Sequence, residues 1–186
     1  MAPKTSNERF DMSTNSVVAY LRRDGSIVSS YVHYDGYETG VGMTLLEHYN
    51  SDERALAVSV GGYYSSLSED LNSSLKESVH HEEPDMFDTM EEFELFLMEN
   101  SHLEFGYLWT GGKWMVSSWS RIGVGAAWNG FSWLVTSFVR EGRKTVDRLR
   151  SYGNEYEDSA DDLEEVVSRW HRYGMGEIAT EAMEAA

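Results

Sequence analysis

Apolar and polar residues alternate in two pairs of segments, and this alternation predicts two β-hairpins. Residues 16–22 and 27–34 are predicted strands separated by an Asp-Gly pair, which favours a short hairpin turn. Residues 104–110 and 113–119 are predicted strands on either side of a Gly-Gly pair, and aromatic residues occupy every second position from 105 to 109. The pattern therefore predicts four strands in two hairpins.

Helical spacing of apolar residues predicts most of the remaining regular structure. Predicted helices span residues 39–49, 52–60, 85–100, 131–152 and 161–172. Residues 65–84 and the glycine-rich 123–130 are predicted connections. We therefore expect an α+β fold in which a four-stranded antiparallel sheet, made from the two hairpins, is packed by helices. A single domain is expected over residues 16–174, with a flexible N-terminus at 1–15 and a C-terminal tail at 175–186.

The predicted helix at 85–100 combines an apolar face with many acids. Its apolar face is predicted to comprise Phe87, Met90, Phe93, Leu95, Phe96, Leu97 and Met98. Asp88 followed three residues later by Glu91 resembles a capping box, in which two side chains bond the first free N–H groups of a helix. The spacing predicts that this helix packs on the core and exposes its acids to solvent.

The formal net charge of −17 is the strongest compositional signal in the 186 residues. Twelve acids and only one base, Lys76, lie between Glu69 and Glu104, and residues 155–165 form a second acidic stretch without a base. A basic helix candidate at 140–150 lies between them. Because phosphate backbones are also negative, we do not expect direct binding to nucleic acid.

Two explanations of this charge remain open. Acidic excess can serve only solubility or adaptation to salt, and the basic helix at 140–150 could neutralise the first acidic stretch internally. Alternatively, an acidic surface can imitate nucleic acid and occupy a protein that normally binds it, because complementary fields speed association. The predicted partner-binding residues under this hypothesis are Glu82, Glu83, Asp85, Asp88, Glu91, Glu92, Glu94 and Glu99.

The segment between the first hairpin and the first helix contains a tight turn rich in aromatic residues. Asp35-Gly36 is a turn signal, and we expect Gly36 to adopt a positive φ. His33 and Asp35 are two residues apart on a predicted strand and therefore share a face. They are the best candidates for a small-ligand site or an enzyme, although a structural hydrogen bond between them is the simpler interpretation.

The same segment resembles a family of small phage-encoded proteins of unknown function. The residues that carry the resemblance are His33, Tyr34, Asp35, Gly36 and Tyr37, followed by Gly40-Val41-Gly42, Leu45-Leu46 and His48-Tyr49-Asn50, and preceded by Asp24-Gly25-Ser26. In that family an H-W-D-G-Y motif follows a DGS hairpin and precedes a leucine-rich helix. This chain has tyrosine at position 34 where the family usually has tryptophan. The resemblance covers roughly the first seventy residues, and it implies a phage protein in the host cytoplasm without implying an activity.

The residues show no motif of a known reaction. Cysteine is absent, which excludes disulfides and cysteine nucleophiles. The cluster at 80–83 has adjacent histidines instead of the helical spacing of a zinc site, so neither a metal nor a cofactor is expected. No segment has the roughly 18 consecutive apolar residues of a membrane helix, and none has a signal-peptide core, so we expect an intracellular protein without membrane contact.

We therefore expect a protein that is not an enzyme. The preferred hypothesis is an acidic, phage-like protein that binds and inhibits a host protein, one that handles nucleic acid or serves in defence, through charge that mimics nucleic acid. The alternatives are a small-ligand binder or enzyme centred on His33 and Asp35, and a virion or assembly component whose exposed aromatic residues make oligomer contacts.

Overall fold

The computed structural model describes residues 13–74, 83–122, 125–128 and 130–176. The strands are β1 Asn15–Leu21, β2 Ile27–Val32, β3 Tyr63–Tyr64, β4 Asp85–Phe87, β5 Leu103–Thr110, β6 Lys113–Ile122, β7 Gly125–Trp128 and β8 Ser132–Trp133. The helices are α1 Met43–His48, α2 Asp52–Ser59, α3 Met90–Glu99, α4 Leu134–Tyr152 and α5 Glu157–Gly174. A π-helical turn, Glu38–Gly42, precedes α1, and a 3-10 turn, Asn154–Tyr156, precedes α5. The α+β class expected from the sequence is confirmed.

The sheet is mixed, so the expectation of a four-stranded antiparallel sheet is wrong. Both predicted hairpins form, β1 with β2 and β5 with β6. They are joined through β1 and β5, which run parallel. Four successive residues of β1, from Ser16 to Ala19, are buried, which is typical of a strand covered on both faces. The two hairpins are far apart in sequence, so the residues of each hairpin do not indicate that β1 and β5 pair. Packing of the whole chain determines how the hairpins join.

Short strands extend both edges of this central sheet. β3 and β4 pair with β2, and β7 and β8 pair with β6. Three of these strands lie where the sequence predicted something else: β4 and β8 at the starts of predicted helices, and β7 in the glycine-rich connection. Each of these strands forms because its backbone hydrogen-bonds to an edge strand of the central sheet. The local sequence of each strand does not indicate which strand it pairs with.

The helices cover the two faces of the sheet unequally. Val18, on one face of β1, lies in a core that includes Trp114 of β6, Phe138 of α4 and Trp170 of α5. On the opposite face, a second core contains Val17, Ala19, Ile27, Leu103 and Leu108 together with Phe93 and Leu97 of α3. Successive side chains of a strand point to opposite faces, so α3 lies on the far side of the sheet from α4 and α5.

The helix predicted at 85–100 begins later than its spacing suggested. Thr89 is the N-cap, since its hydroxyl accepts a hydrogen bond from the Glu92 N–H at 3.2 Å. The Glu92 carboxylate accepts one from the Asp88 N–H at 2.9 Å. The predicted capping box at Asp88 and Glu91 is therefore wrong by one residue, because Asp85–Phe87 is held extended by its pairing with β2.

Candidate functional site

The turn at residues 33–37 is docked onto the first strand by its backbone. The Gly36 N–H donates to the Thr14 carbonyl at 2.8 Å, and the buried Tyr107 hydroxyl donates to the Gly36 carbonyl at 2.7 Å. A Cβ at position 36 would lie 2.6 Å from the Thr14 carbonyl oxygen and 2.9 Å from the Ser16 Cβ. The positive φ is at Asp35 (59°), so the prediction that Gly36 needs one is wrong. Glycine is required at position 36 because the two backbones touch.

His33 and Asp35 have different hydrogen-bond partners. The chain leaves β2 at Val32, and the positive φ of Asp35 ends the strand geometry that would keep the two side chains on one face. The His33 Nδ1 lies 3.2 Å from the Tyr31 hydroxyl, and the Asp35 carboxylate accepts from the Tyr37 hydroxyl at 3.1 Å. Partial burial and the neighbouring Asp35 charge raise the pKa of Tyr37. These contacts favour a structural role for the motif.

Two clefts lie beside this turn, where the π-helical turn meets α4. One has a volume of about 700 Å³ and is lined by Glu38, Ser101, Leu103, Glu104, Phe105, Ser118, Trp119, Arg140 and Glu141. The other, of about 670 Å³, is lined by Tyr37, Glu38, Thr39, Met43, Glu141, Thr145, Arg148 and Leu163. Glu38 and Glu141 line both clefts, so these two carboxylates stand at their junction.

Glu38 is the candidate residue that sequence reasoning missed. Its side chain is buried, with the whole residue 8% exposed, and its Oε1 accepts a hydrogen bond from the Ser137 hydroxyl at 2.9 Å. An Arg140 guanidinium N–H donates to the same hydroxyl at 3.1 Å. Burial, together with the Glu38 charge, raises the pKa of Tyr107 well above its ordinary value. Ser137 is far from Glu38 in sequence, so no local spacing could have indicated this network.

The predicted partner-binding acids form a continuous stretch on the opposite side of the sheet. We call Glu83, Asp85, Asp88, Glu91, Glu92, Glu94 and Glu99 the acidic surface; all lie on β4, on α3 or next to them. Glu94 is half-buried and the others are exposed. Glu92 also caps α3. Glu82, His80 and His81 lie outside the described residues.

The ion pairs made by the bases of α4 lie away from α3. Arg140 and Lys144 pair with Glu141 within α4. Burial alone would raise the pKa of Glu141, but hydrogen bonds from Lys144 and Arg140 hold that pKa below its ordinary value. Arg150 pairs with three acids of α5, namely Glu157, Asp161 and Glu164. The basic helix therefore neutralises part of the second acidic stretch, and in the described residues no ion pair joins it to α3.

Apolar side chains lie exposed among the acids. Leu95 and Met98 of α3 are 50% and 48% exposed, and Met86 of β4 is 53% exposed. Phe93 and Leu97 are fully buried, as predicted for the apolar face. The prediction that Leu95 and Met98 belong to that face is wrong, because a helix on a sheet contacts it along a narrow stripe and turns those two residues outward.

No family model matches the chain, and neither a curated protein nor a solved structure matches it. No helix of the described residues is long and apolar enough to cross a membrane.

Proposed function

We propose that this chain is a non-enzymatic protein that binds a basic surface of a host protein through its acidic surface and blocks that protein. The target is a protein that handles nucleic acid or serves in defence, and the chain competes with nucleic acid for it. The resemblance of the 33–37 motif to phage-encoded proteins supports a phage origin and a role in the host cytoplasm. The observation that carries the proposal is the position of α3: among the described helices it alone packs on this face of the sheet, and no ion pair of the described residues involves its acids.

The charge distribution supports binding to a basic partner. Three bases of α4, namely Arg140, Lys144 and Arg150, form ion pairs within α4 or with α5, on the other face of the sheet. Close negative charges repel one another, and an opposite field on a partner relieves that repulsion and speeds encounter. The Debye length is about 10 Å at 0.1 M salt, so neighbouring carboxylates on one helix face act together on an approaching partner.

The exposed apolar residues support a protein partner over free counterions. Two exposed apolar residues of α3 lie on the same helix as three of its acids, so apolar and acidic side chains belong to one surface. The apolar residues are Leu95 and Met98, and the acids are Glu91, Glu94 and Glu99. Interfaces combine such apolar contacts with a polar rim, and the flexible thioether of methionine adapts to varied partner shapes. The acids would then set the rate of association, and the apolar contacts would set the lifetime of the complex.

The test is capture from a bacterial lysate on the immobilised chain, followed by purification of a captured protein and kinetic measurement of its binding. We expect the protein to be released by salt and displaced by duplex DNA. A variant with Glu91→Gln, Glu94→Gln and Glu99→Gln should associate about tenfold more slowly or worse. Glu92 is kept because it caps α3.

The matched control removes three exposed acids on the other side of the sheet, by Asp147→Asn, Asp162→Asn and Glu165→Gln. Both variants change net charge equally, so unspecific charge attraction predicts equal loss of binding. Our proposal predicts that only the α3 variant loses it, with an unchanged melting temperature. Parent-like binding by the α3 variant, or a captured protein that duplex DNA does not displace, would contradict the proposal.

A further inference from the structure

We infer that a groove between the start of α4 and the end of α5 binds a medium-chain fatty acid, with basic side chains for its carboxylate and an apolar wall for its carbon chain. The groove has a volume of about 390 Å³, and small-molecule sites occupy about 300–1,000 Å³. Its buried valines belong to the core on the face of the sheet opposite α3. The groove is therefore separate from the acidic surface.

The packing of the two helices gives the groove a direction. Gly142 of α4 lies against the Val167 side chain of α5, and a Cβ at position 174 would lie 3.1 Å from the Val135 Cγ1. The start of α4 is thus beside the end of α5, as in an antiparallel pair. Val135 and Arg143 both line the groove and lie about 12 Å apart along α4, since a helix rises about 1.5 Å per residue. The groove extends from an apolar end to a basic end.

The apolar end is built from side chains that are already held in place. Val135 and Val139 are buried in the core below the groove, and Trp133 forms a further wall. The Trp133 ring is fixed by Lys113, whose Nζ lies 5.8 Å from the ring centroid, and by the Tyr173 ring at 6.2 Å. Methylene groups gain by leaving water for such a surface, and a preformed wall costs little ordering on binding.

The basic end has donors available for an anion. Arg140, Arg143 and His171 line the groove, and none of its described lining residues is an acid. Arg140 donates to Glu141 and Ser137 and retains further N–H groups. Arg143 forms neither a hydrogen bond from its side chain nor an ion pair within the described residues. Its planar guanidinium can therefore hold a carboxylate through two parallel hydrogen bonds.

The acids nearest to Arg143 leave it available. Asp147 and Glu164 line a smaller neighbouring cleft together with Arg143. Glu164 pairs with Arg150 instead, and in the described part of the chain neither acid forms an ion pair with Arg143. Arg143 thus carries a positive charge that the protein itself leaves without a partner.

The combination of the two ends selects the ligand. A neutral hydrocarbon would leave the basic end unpaired, and an inorganic anion would leave the apolar wall in water. The formal net charge of −17 repels anions with several charges. One carboxylate on an aliphatic chain satisfies both ends at the lowest electrostatic cost.

The experiment titrates decanoate and the uncharged decanol into the purified chain by calorimetry, below the concentrations at which either aggregates, and follows the Val135 and Val139 methyl resonances by NMR. We expect decanoate to bind about one per chain and about tenfold more tightly than decanol. Arg143→Gln should weaken decanoate about tenfold and leave decanol unchanged, because only the charged hydrogen bonds are lost. Thr136→Trp, at an exposed lining position, fills the groove and should weaken both ligands.

The matched control is Arg148→Gln, which removes the same charge from an exposed position of α4 outside the groove. We expect this variant to bind decanoate as the parent does. Equal weakening by the two arginine variants would show diffuse attraction and overturn the inference. Equal affinity of the parent for decanoate and decanol would show adsorption to an apolar surface and would also overturn it.

Two further measurements test other occupants of the groove. Flotation with phosphatidylglycerol vesicles should leave the chain unbound; binding to the vesicles that Arg143→Gln abolishes would assign the groove to a membrane surface. The affinity for decanoate should not depend on protein concentration; an affinity that falls as the chain is concentrated would assign the groove to a second copy. Either of these results, or the absence of saturable binding, would overturn the inference.

Discussion

Replacing Gly36 by alanine should destabilise the fold through a backbone collision. The new Cβ would lie 2.6 Å from the Thr14 carbonyl oxygen and 3.0 Å from the Asn15 carbonyl carbon, where ordinary contacts are about 3.5–4.0 Å. Both neighbours are backbone atoms, so neither can rotate away. The turn must therefore move off β1 by several tenths of an ångström, which strains two hydrogen bonds, one from the Gly36 N–H and one to its carbonyl.

The expected loss is about 3 kcal/mol. Overpacking costs about 1–3 kcal/mol, and a weakened hydrogen bond about 1 kcal/mol. For a chain of this size, 1 kcal/mol corresponds to about 2–4 °C, so the melting temperature should fall by about 6–12 °C. The assay is urea unfolding followed by circular dichroism, with thermal unfolding as a second measurement. If the slope of the free energy of unfolding against urea concentration is unchanged, the native state has lost stability without a change in compactness.

Two further variants separate packing from backbone conformation. Gly130→Ala is the matched control, because a Cβ added at position 130 would meet nothing within 4 Å, and its stability should stay within about 0.5 kcal/mol of the parent. Asp35→Gly places glycine at the positive φ and should also change stability by less than about 1 kcal/mol. If Gly36→Ala were as stable as Gly130→Ala, the prediction that a Cβ at position 36 collides with the backbone near β1 would be wrong.

Three other predictions concern the cores, the buried tyrosine and the helix pair. Leu97→Ala should cost about 2–5 kcal/mol in urea unfolding, because this fully buried side chain anchors α3 to the sheet. Burial raises the pKa of Tyr107 in the folded protein well above its ordinary value of 10.0, which it keeps in the unfolded chain. As the pH rises above 10.0, the unfolded chain loses this proton and the folded protein does not, so the free energy of unfolding falls. Tyr107→Phe should cost about 1 kcal/mol at neutral pH and reduce that alkaline loss. Arg150→Ala should lower the free energy of unfolding only slightly at low salt and leave it unchanged in molar salt, as measured by urea unfolding, because the three ion pairs of Arg150 are exposed and screened by salt.

Local sequence determined the elements whose stabilising contacts lie within a few residues. The hairpin turns need glycine at specific positions, and Gly25, Gly111 and Gly112 do have positive φ. The helix α2 begins at its predicted residue, because Ser51 caps it and acids follow in the first turn. The acidity of residues 83–99 is likewise a property of the sequence alone.

Tertiary structure decided how these elements meet. The parallel joining of β1 and β5, the edge strands and the encounter of Glu38 with Ser137 all depend on residues far apart in the chain. Even the requirement for glycine at position 36, evident in the sequence as a turn signal, comes from contact with β1. The hydrogen-bonding capacity and the turn preference of a residue are local properties, and they can be predicted from the sequence around it. Which distant residue becomes its partner depends on how the whole chain packs, and no short segment contains that information.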